Sequence, residues 1–368
     1  MQILMLVQSP AIYGPLPKLT PLLIQALQER GCHAQTAVWG RHTESEGRLE
    51  KIVGRVRDLF HVLRVARSQP FDLMIVQTSH DWSTLARDVP LVALARRWCR
   101  CIVLQMHGSQ SDRMVVPGNR LFKAATKSLL RWSDAVLVLS SEEQREWTQF
   151  HPRGNFHIVD NPFVPMNESA PDPRPAWKIP TGCPILLFAG RLIPEKGIYD
   201  LLEAVRLVLQ TSDCHLVLAG DGPEKDGLRR RIEQLGLTGR VTLPGYLAGA
   251  QLASAYQFAS LFVFPSYHYE GFPTVVTEAM SFGLPIITTR IRGVADHLRE
   301  GEHALFVPAR DPSALASSIL KLLDAPDLRE RMKAANREKV RQFQPAIVGE
   351  KYYETLKKIL DGKKYSDV

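Results

Sequence analysis

The chain has 368 residues, 45% of them hydrophobic and 23% charged, with a formal net charge of +8. At roughly 150 residues per domain this length predicts two domains, and the balance of apolar to charged residues excludes wholesale disorder. No apolar run approaches the ~18 residues that span a bilayer, and the run at 3–7 lacks the basic lead and small-residue cleavage site of a signal peptide, so a cytoplasmic location is expected.

Through Asp160 there are 20 Lys and Arg against 14 Asp and Glu, so most of the positive excess lies in the N-terminal half. Such a half favours anionic partners such as phospholipid headgroups, phosphorylated substrates or nucleic acid, or else is a solubilising surface. The five cysteines, Cys32, Cys99, Cys101, Cys183 and Cys214, form no C-x-x-C pair and no zinc spacing. Disulfide scaffolds and zinc modules are excluded, and Cys99 and Cys101 read as buried small hydrophobes.

In chain order, strands are predicted at 2–8, 33–39, 72–77, 101–107 and 135–139, alternating with helices at 20–30, 48–68, 83–97 and 120–132. This βαβ succession predicts a parallel, helix-covered sheet. Prolines at 162, 165, 171, 173, 175, 180 and 184 then mark a linker at 164–184. Beyond it the alternation restarts. Strands are predicted at 185–189, 215–219, 240–243, 261–264, 285–289 and 304–307, with helices at 198–209, 224–234, 251–258 and 274–282. The stretch 312–361 reads as nearly all helical. The expected division is an N-terminal domain over 1–163, the linker, a second domain over 185–345, and a final helix in 346–368 that crosses back to the first domain. The fold class is α/β, with two doubly wound, Rossmann-like domains facing a central cleft onto which the strand ends open.

The first strand of the second half runs into Phe188-Ala-Gly-Arg-Leu-Ile-Pro-Glu-Lys-Gly197. Arg191 and Lys196 lie on one loop leading into a helix, and Gly190 and Gly197 permit close backbone approach. That combination suits a diphosphate, although alone it reads equally as a capped turn with two solvated charges. Further on, Glu270-Gly-Phe-Pro-Thr274 precedes a helix start and Glu278 falls one turn inside it. Carboxylates there can accept from sugar hydroxyls, and Glu278 alone would read as a first-turn acid that suits the helix dipole.

Gly190-Arg191 with Lys196-Gly197, then Gly220-Asp-Gly-Pro223, then Glu270 and Glu278 with seven residues between them, resemble the retaining glycosyltransferases of family 4, which have the GT-B fold. The N-terminal half matches more loosely, through Gln105-Met-His107-Gly108 and 133–140. The resemblance implies that Arg191 and Lys196 bind the diphosphate of a nucleotide sugar, with Gly190 beside them. It implies that Glu278 accepts from the ribose, and that Glu270 with the amides of Gly271, Phe272, Pro273 and Thr274 forms the pocket for the transferred sugar. Tyr246 and Leu247 would frame the base, and His107 would lie near the reacting centre. One loop departs from the family: Ser9-Pro-Ala-Ile-Tyr-Gly14 offers a single glycine, Gly14, on the acceptor side, where relatives often carry a pair.

The resemblance thus predicts a hexosyl- or N-acetylhexosaminyl-transferase of glycan biosynthesis, with a nucleotide diphosphate sugar as co-substrate and a glycan or lipid-linked acceptor. No G-x-G-x-x-G follows the first strand, which argues against a dinucleotide oxidoreductase. No Asp-x-Asp is present and two fixed cations can neutralise the diphosphate, so no metal is expected. Another GT-B enzyme, such as a nucleotide-sugar epimerase or phosphorylase, is the alternative. A non-catalytic binder of anionic polymers is a third reading, though the basic residues do not interleave with aromatics, so no nucleic-acid partner is expected. Lys123, Lys127 and Arg131, with Arg96, Arg97, Arg100 and Trp98, read either as a solvated surface or as a peripheral contact with the inner face of the membrane.

Overall fold

The computed structural model of the chain describes residues 1–12, 14–43, 45–163, 166 and 171–364, the side chains of 48 and 364 excepted. Two compact units divide it. The first comprises Met1–Pro162, Tyr269–Phe272 and Phe343 onward; the second comprises Phe163–His268 and Pro273–Gln342.

In the first unit the order is β1 Gln2–Val7, α1 Leu16–Gln28, β2 His33–Val38, α2 Arg48–Ser68, β3 Phe71–Thr78, α3 Trp82–Ala95, β4 Cys99–Met106, α4 Asp112–Val115, α5 Arg120–Arg131, β5 Ala135–Val138, α6 Ser141–Phe150 and β6 Phe156–Ile158. The six strands pair in parallel in the order β2-β1-β3-β4-β5-β6. Strands such as Leu73–Val76 are buried throughout, because helices cover both faces of a parallel sheet. Five elements escaped the periodicity: β6 and α4 are only three and four residues long, and α6 is too polar to present an apolar stripe. The others are the short helices Arg174–Trp177 and Arg292–His297 of the second unit.

The second unit contains α7 Arg174–Trp177, β7 Ile185–Ala189, α8 Ile198–Val208, β8 His215–Ala219, α9 Lys225–Gln234, β9 Val241–Gly245, α10 Ala250–Phe258, β10 Leu261–Phe264, α11 Thr274–Ser281, β11 Ile286–Thr288, α12 Arg292–His297, β12 Ala304–Phe306, α13 Pro312–Asp324 and α14 Pro326–Val340. Its strands are again parallel, in the order β12-β11-β10-β7-β8-β9. Both sheets are doubly wound.

The expected boundaries shift. Residues 164, 165 and 167–170 of the expected linker lie outside the described residues. From Pro171 on, the segment is packed on the second unit rather than free: the Ser254 hydroxyl donates to the Pro171 carbonyl at 2.6 Å, and the Arg174 guanidinium lies 5.5 Å from the Phe258 ring centre. The prolines limit regular structure to the four-residue α7 without preventing side chains from docking. The final helix, α15 Pro345–Lys364, belongs to the first unit, and residues 365–368 of the expected span lie outside the described residues. Tyr352, Leu356, Ile359 and Leu360 join Ile3, Met5, Leu73 and Ile75 in one core. Lys363 reaches Asp134 at 2.9 Å.

The approach of α15 to α1 depends on Gly349, where an added Cβ would stand 2.4 Å from the Ala26 Cβ. Gly349→Ala gains up to about 1 kcal/mol of helix propensity, but forced overpacking costs about 1–3 kcal/mol. The substitution is therefore expected to lower the urea midpoint, and a compensating Ala26→Gly to recover part of the loss.

Candidate active site

In open α/β sheets, ligands bind beyond the carboxyl ends of the strands where the winding reverses. In the second sheet the reversal falls between β7 and β10, and the loops leaving those two strands are those carrying Arg191 with Lys196 and the start of α11. Close packing of backbone on backbone builds this edge. A Cβ on Gly220 would lie 1.8 Å from the Gly190 carbonyl oxygen, and one on Gly197 would lie 2.4 Å from that of Pro265. No residue but glycine fits either position. The Gly190 amide donates to the Ala219 carbonyl at 3.0 Å, and the Tyr267 amide to the Glu195 carbonyl at 2.9 Å, which stitches the two loops together.

On this frame Arg191 is exposed, while Lys196 is buried, with its ammonium 5.0 Å from the centre of the Phe264 ring. Lys196 ends a single 3-10 turn, and Gly197, with φ of 71°, opens α8 without any side-chain cap. A buried lysine and an exposed arginine on the same loop thus precede a helix start whose first amides can face an anion. At α11, Pro273 is the N-cap, again without a side-chain cap, and Thr274 is the first helical residue. Glu278 accepts a hydrogen bond at 2.9 Å from the hydroxyl of Tyr256, whose side chain is wholly buried. Burial, then the nearby Glu278 carboxylate, holds the Tyr256 phenol well above its ordinary pKa, so it stays a donor. Tyr246 is exposed and Leu247 buried just after β9.

Gly14 and His107 are in the first unit, and so are Glu270, Gly271 and Phe272, which the sequence reading placed in the domain over 185–345. A Cβ on Gly271 would meet the Leu139 Cβ at 2.3 Å, and the Phe272 ring centre is 5.1 Å from that of Phe343. Gly14 has φ of 146° with open space around it, and its neighbour Tyr13 lies outside the described residues. His107 follows β4, its amide donating to the Thr78 carbonyl at 2.8 Å. Its Nε2 is enclosed with no hydrogen-bond partner, and burial pushes its pKa down to about 4. The ring is a neutral imidazole at physiological pH.

Sequence reasoning missed what holds the turn after His107. Buried Glu143 accepts from the Ser109 hydroxyl and from the Leu139 amide at 3.0 Å, and Glu146 accepts from Ser111 at 2.6 Å. His80 Nδ1 accepts from the Gln110 amide at 3.3 Å while Nε2 meets the Thr126 hydroxyl at 2.9 Å. Burial lowers the His80 pKa to about 4, the Asp81 charge opposing it. The signal available was Ser140-Ser-Glu-Glu143, a helix-capping pattern in which the Glu143 amide donates to Ser140 Oγ at 3.1 Å. Tyr256 and Arg310 were also missed; the Arg310 guanidinium lies 4.5 Å from the Tyr267 ring centre. Neither lies near the motifs in sequence. Cys99 and Cys101 are buried thiols, pushed by burial to about 11 and about 12. Among the described residues no group of three or more His, Cys, Asp or Glu could hold a metal, and no helix is long and apolar enough to cross a membrane.

Because His80 and His107 bind protons at about 4 when folded and near 6.5 when unfolded, the unfolded chain holds more protons between those values. Stability therefore falls as pH drops from about 6.5 to about 4, by up to on the order of 3 kcal/mol per residue. Urea midpoints across that range should decline, and His107→Gln should flatten the decline.

Residues 170–339 match the family model for glycosyl transferases group 1. An alpha-D-kanosaminyltransferase from Streptomyces kanamyceticus is 35% identical over 249 residues, 63% of this chain, and the match spans 63% of that relative's own length. Sucrose-phosphate synthase from Thermosynechococcus elongatus superposes with a TM-score of 0.79 at 20% identity, covering 98% of this chain and all of that one. Anabaena Alr3699/HepE, in complex with UDP and glucose, gives 0.76 at 20% identity, over 97% of this chain and all of that one. The fold is therefore GT-B, and the chain is related to the group 1 glycosyltransferases, whose family segment here carries Arg191, Lys196 and Glu278.

Proposed function

We propose that the chain is a retaining glycosyltransferase that moves a hexosyl or N-acetylhexosaminyl group from a nucleotide diphosphate sugar to an acceptor hydroxyl. The observation that carries this reading is the pair Arg191 and Lys196 at the uncapped start of α8, on the winding reversal of the second sheet and inside the group 1 segment. A diphosphate there meets two cations and a helix N-terminus. Negative charge grows on the distal phosphate as the sugar leaves, and preorganised cations lower that barrier more than they stabilise the ground state. Burial of the Lys196 stem removes the reorganisation that a solvated lysine would need. These groups do what a divalent metal does elsewhere, so the transfer is read as metal-independent.

Glu278, aligned by Tyr256, accepts from ribose hydroxyls, and Tyr246 with Leu247 borders the base. Glu270 and the amides from Gly271 to Thr274 take the hydroxyls of the transferred sugar. His107, neutral, serves as a hydrogen-bonding group near the reacting centre rather than a nucleophile, and the leaving phosphate oxygen takes the acceptor proton. HepE was captured with UDP and glucose, which supports a nucleotide-linked hexose as donor class. The acceptor is a glycan or a lipid-linked glycan, and the enzyme works in the cytoplasm or peripherally on the inner face of the membrane, consistent with the basic N-terminal half.

Arg191→Ala and Lys196→Ala should each lower turnover by about 10²–10³-fold, the usual cost of one preorganised charge-stabilising group, with melting behaviour retained. Release of nucleoside diphosphate together with mass analysis of the acceptor is the measurement; sugar appearing on water or phosphate instead would favour the epimerase or phosphorylase reading. Turnover should persist in EDTA. Activity lost to the chelator and restored by Mg²⁺ or Mn²⁺ would overturn the assignment of charge neutralisation to the two cations.

A further inference from the structure

Helix α2 is inside out over its first half. Its inward side carries polar groups: Asp58 is buried against His42 at 2.9 Å, and Arg55 reaches Glu46 at 3.3 Å and Asp58 at 3.8 Å. Leu49, Ile52, Val53, Val56 and Phe60, meanwhile, are between 50% and 79% exposed. Their spacing of three, four, seven and eleven residues from Leu49 puts all five on one stripe about 16 Å long. The polar pairs lock the helix's rotation, so the stripe cannot turn inward. Only in the second half, where Val62 and Ala66 are buried, does the helix follow the ordinary pattern.

Single exposed apolar residues are common, but a continuous stripe marks a contact surface. Exposed Arg57 and Arg64 border the stripe, while the Arg67 guanidinium beyond it lies 5.4 Å from the Trp98 ring centre. Trp82 is exposed at the first turn of α3, as is Leu121 at the first turn of α5. All three helices cover the same face of the sheet. Each runs back from the carboxyl end of a parallel strand, so these first turns share one edge of the unit. The geometry points to an anionic lipid bilayer as the partner: α2 lies in the interface with its apolar stripe among the acyl chains and its arginines at the phosphate level, with Trp82 alongside. The basic face expected on α5 is less suited. The Lys123 ammonium donates to the Val116 carbonyl, and Lys127 lies 5.5 Å from the Phe150 ring centre, so two of its three cations are turned to the protein itself.

This surface deepens the acceptor side of the function proposed above and rests on it for its purpose, while its test needs neither donor nor turnover. The full chain is sedimented with vesicles of phosphatidylcholine alone or mixed with phosphatidylglycerol. It should bind the mixed vesicles, and more weakly as salt is raised. Ile52→Ser, Val56→Ser and Phe60→Ser combined should weaken binding by roughly tenfold or more. Arg57→Glu with Arg64→Glu should do likewise, and Lys123→Glu with Lys127→Glu should change it little. Each variant should melt as the parent does and keep the thermal shift produced by nucleotide sugars, which separates failure here from failure of the transferase reading. The proposal is overturned if the parent ignores mixed vesicles at low salt, or if the triple serine variant binds as the parent does. It is equally overturned if light scattering finds a dimer that the triple variant abolishes, which would make the stripe a contact between two copies.

Discussion

Two backbone approaches that only glycine permits hold the carboxyl edge of the second sheet in shape. The Gly220 main chain lies against the Gly190 carbonyl, and that of Gly197 against the Pro265 carbonyl, each closer than any side chain could fit. The loop from β7 is thereby drawn toward those from β8 and β10, which fixes the backbone positions from which Arg191 and Lys196 project. For Lys196 much of the entropy of placing the cation is met during folding, because its side chain is buried when the core closes. Lys196 is further confined by the Phe264 ring beneath its ammonium.

The same economy governs the carboxylate and the imidazole. Glu278 is aimed by a phenol that burial keeps protonated. His107 is kept neutral by enclosure, and the turn after it is tied down by Glu143 and Glu146 of α6 and by His80 after β3. The carboxylate has a buried hydrogen-bond donor as its support, whereas the imidazole is itself enclosed. Buried Glu143 and His80 offset their desolvation by hydrogen bonding to Ser109, Leu139, Gln110 and Thr126.

Helix α2 follows the opposite logic. Its periodicity of apolar residues was legible over its full length, and its bounds, 48–68, coincide with those predicted. Periodicity reports that a helix has an apolar side but not which side faces the core. Asp58, His42, Arg55 and Glu46 settle that here, through contacts between segments that the spacing of hydrophobic residues does not register. The same limit applies to 171–184, where proline correctly signalled the absence of long regular structure while Ser254 and Phe258 bound the segment to the second unit.

What the sequence by itself determined is local or periodic: the alternation of buried strands and amphipathic helices, hence two parallel α/β domains, and the cations, carboxylates and glycines of the motifs around 190–197 and 270–278. These are legible because a strand buried on both faces must be continuously apolar, and a tight approach must be glycine. Only the tertiary structure decided which sheet positions stand at the winding reversal, that Tyr256 serves Glu278, that 269–272 group with the first unit, and which face of α2 meets solvent. Each of these depends on contacts between residues far apart in the chain, and the energy of such a contact belongs to the pair rather than to either residue read alone.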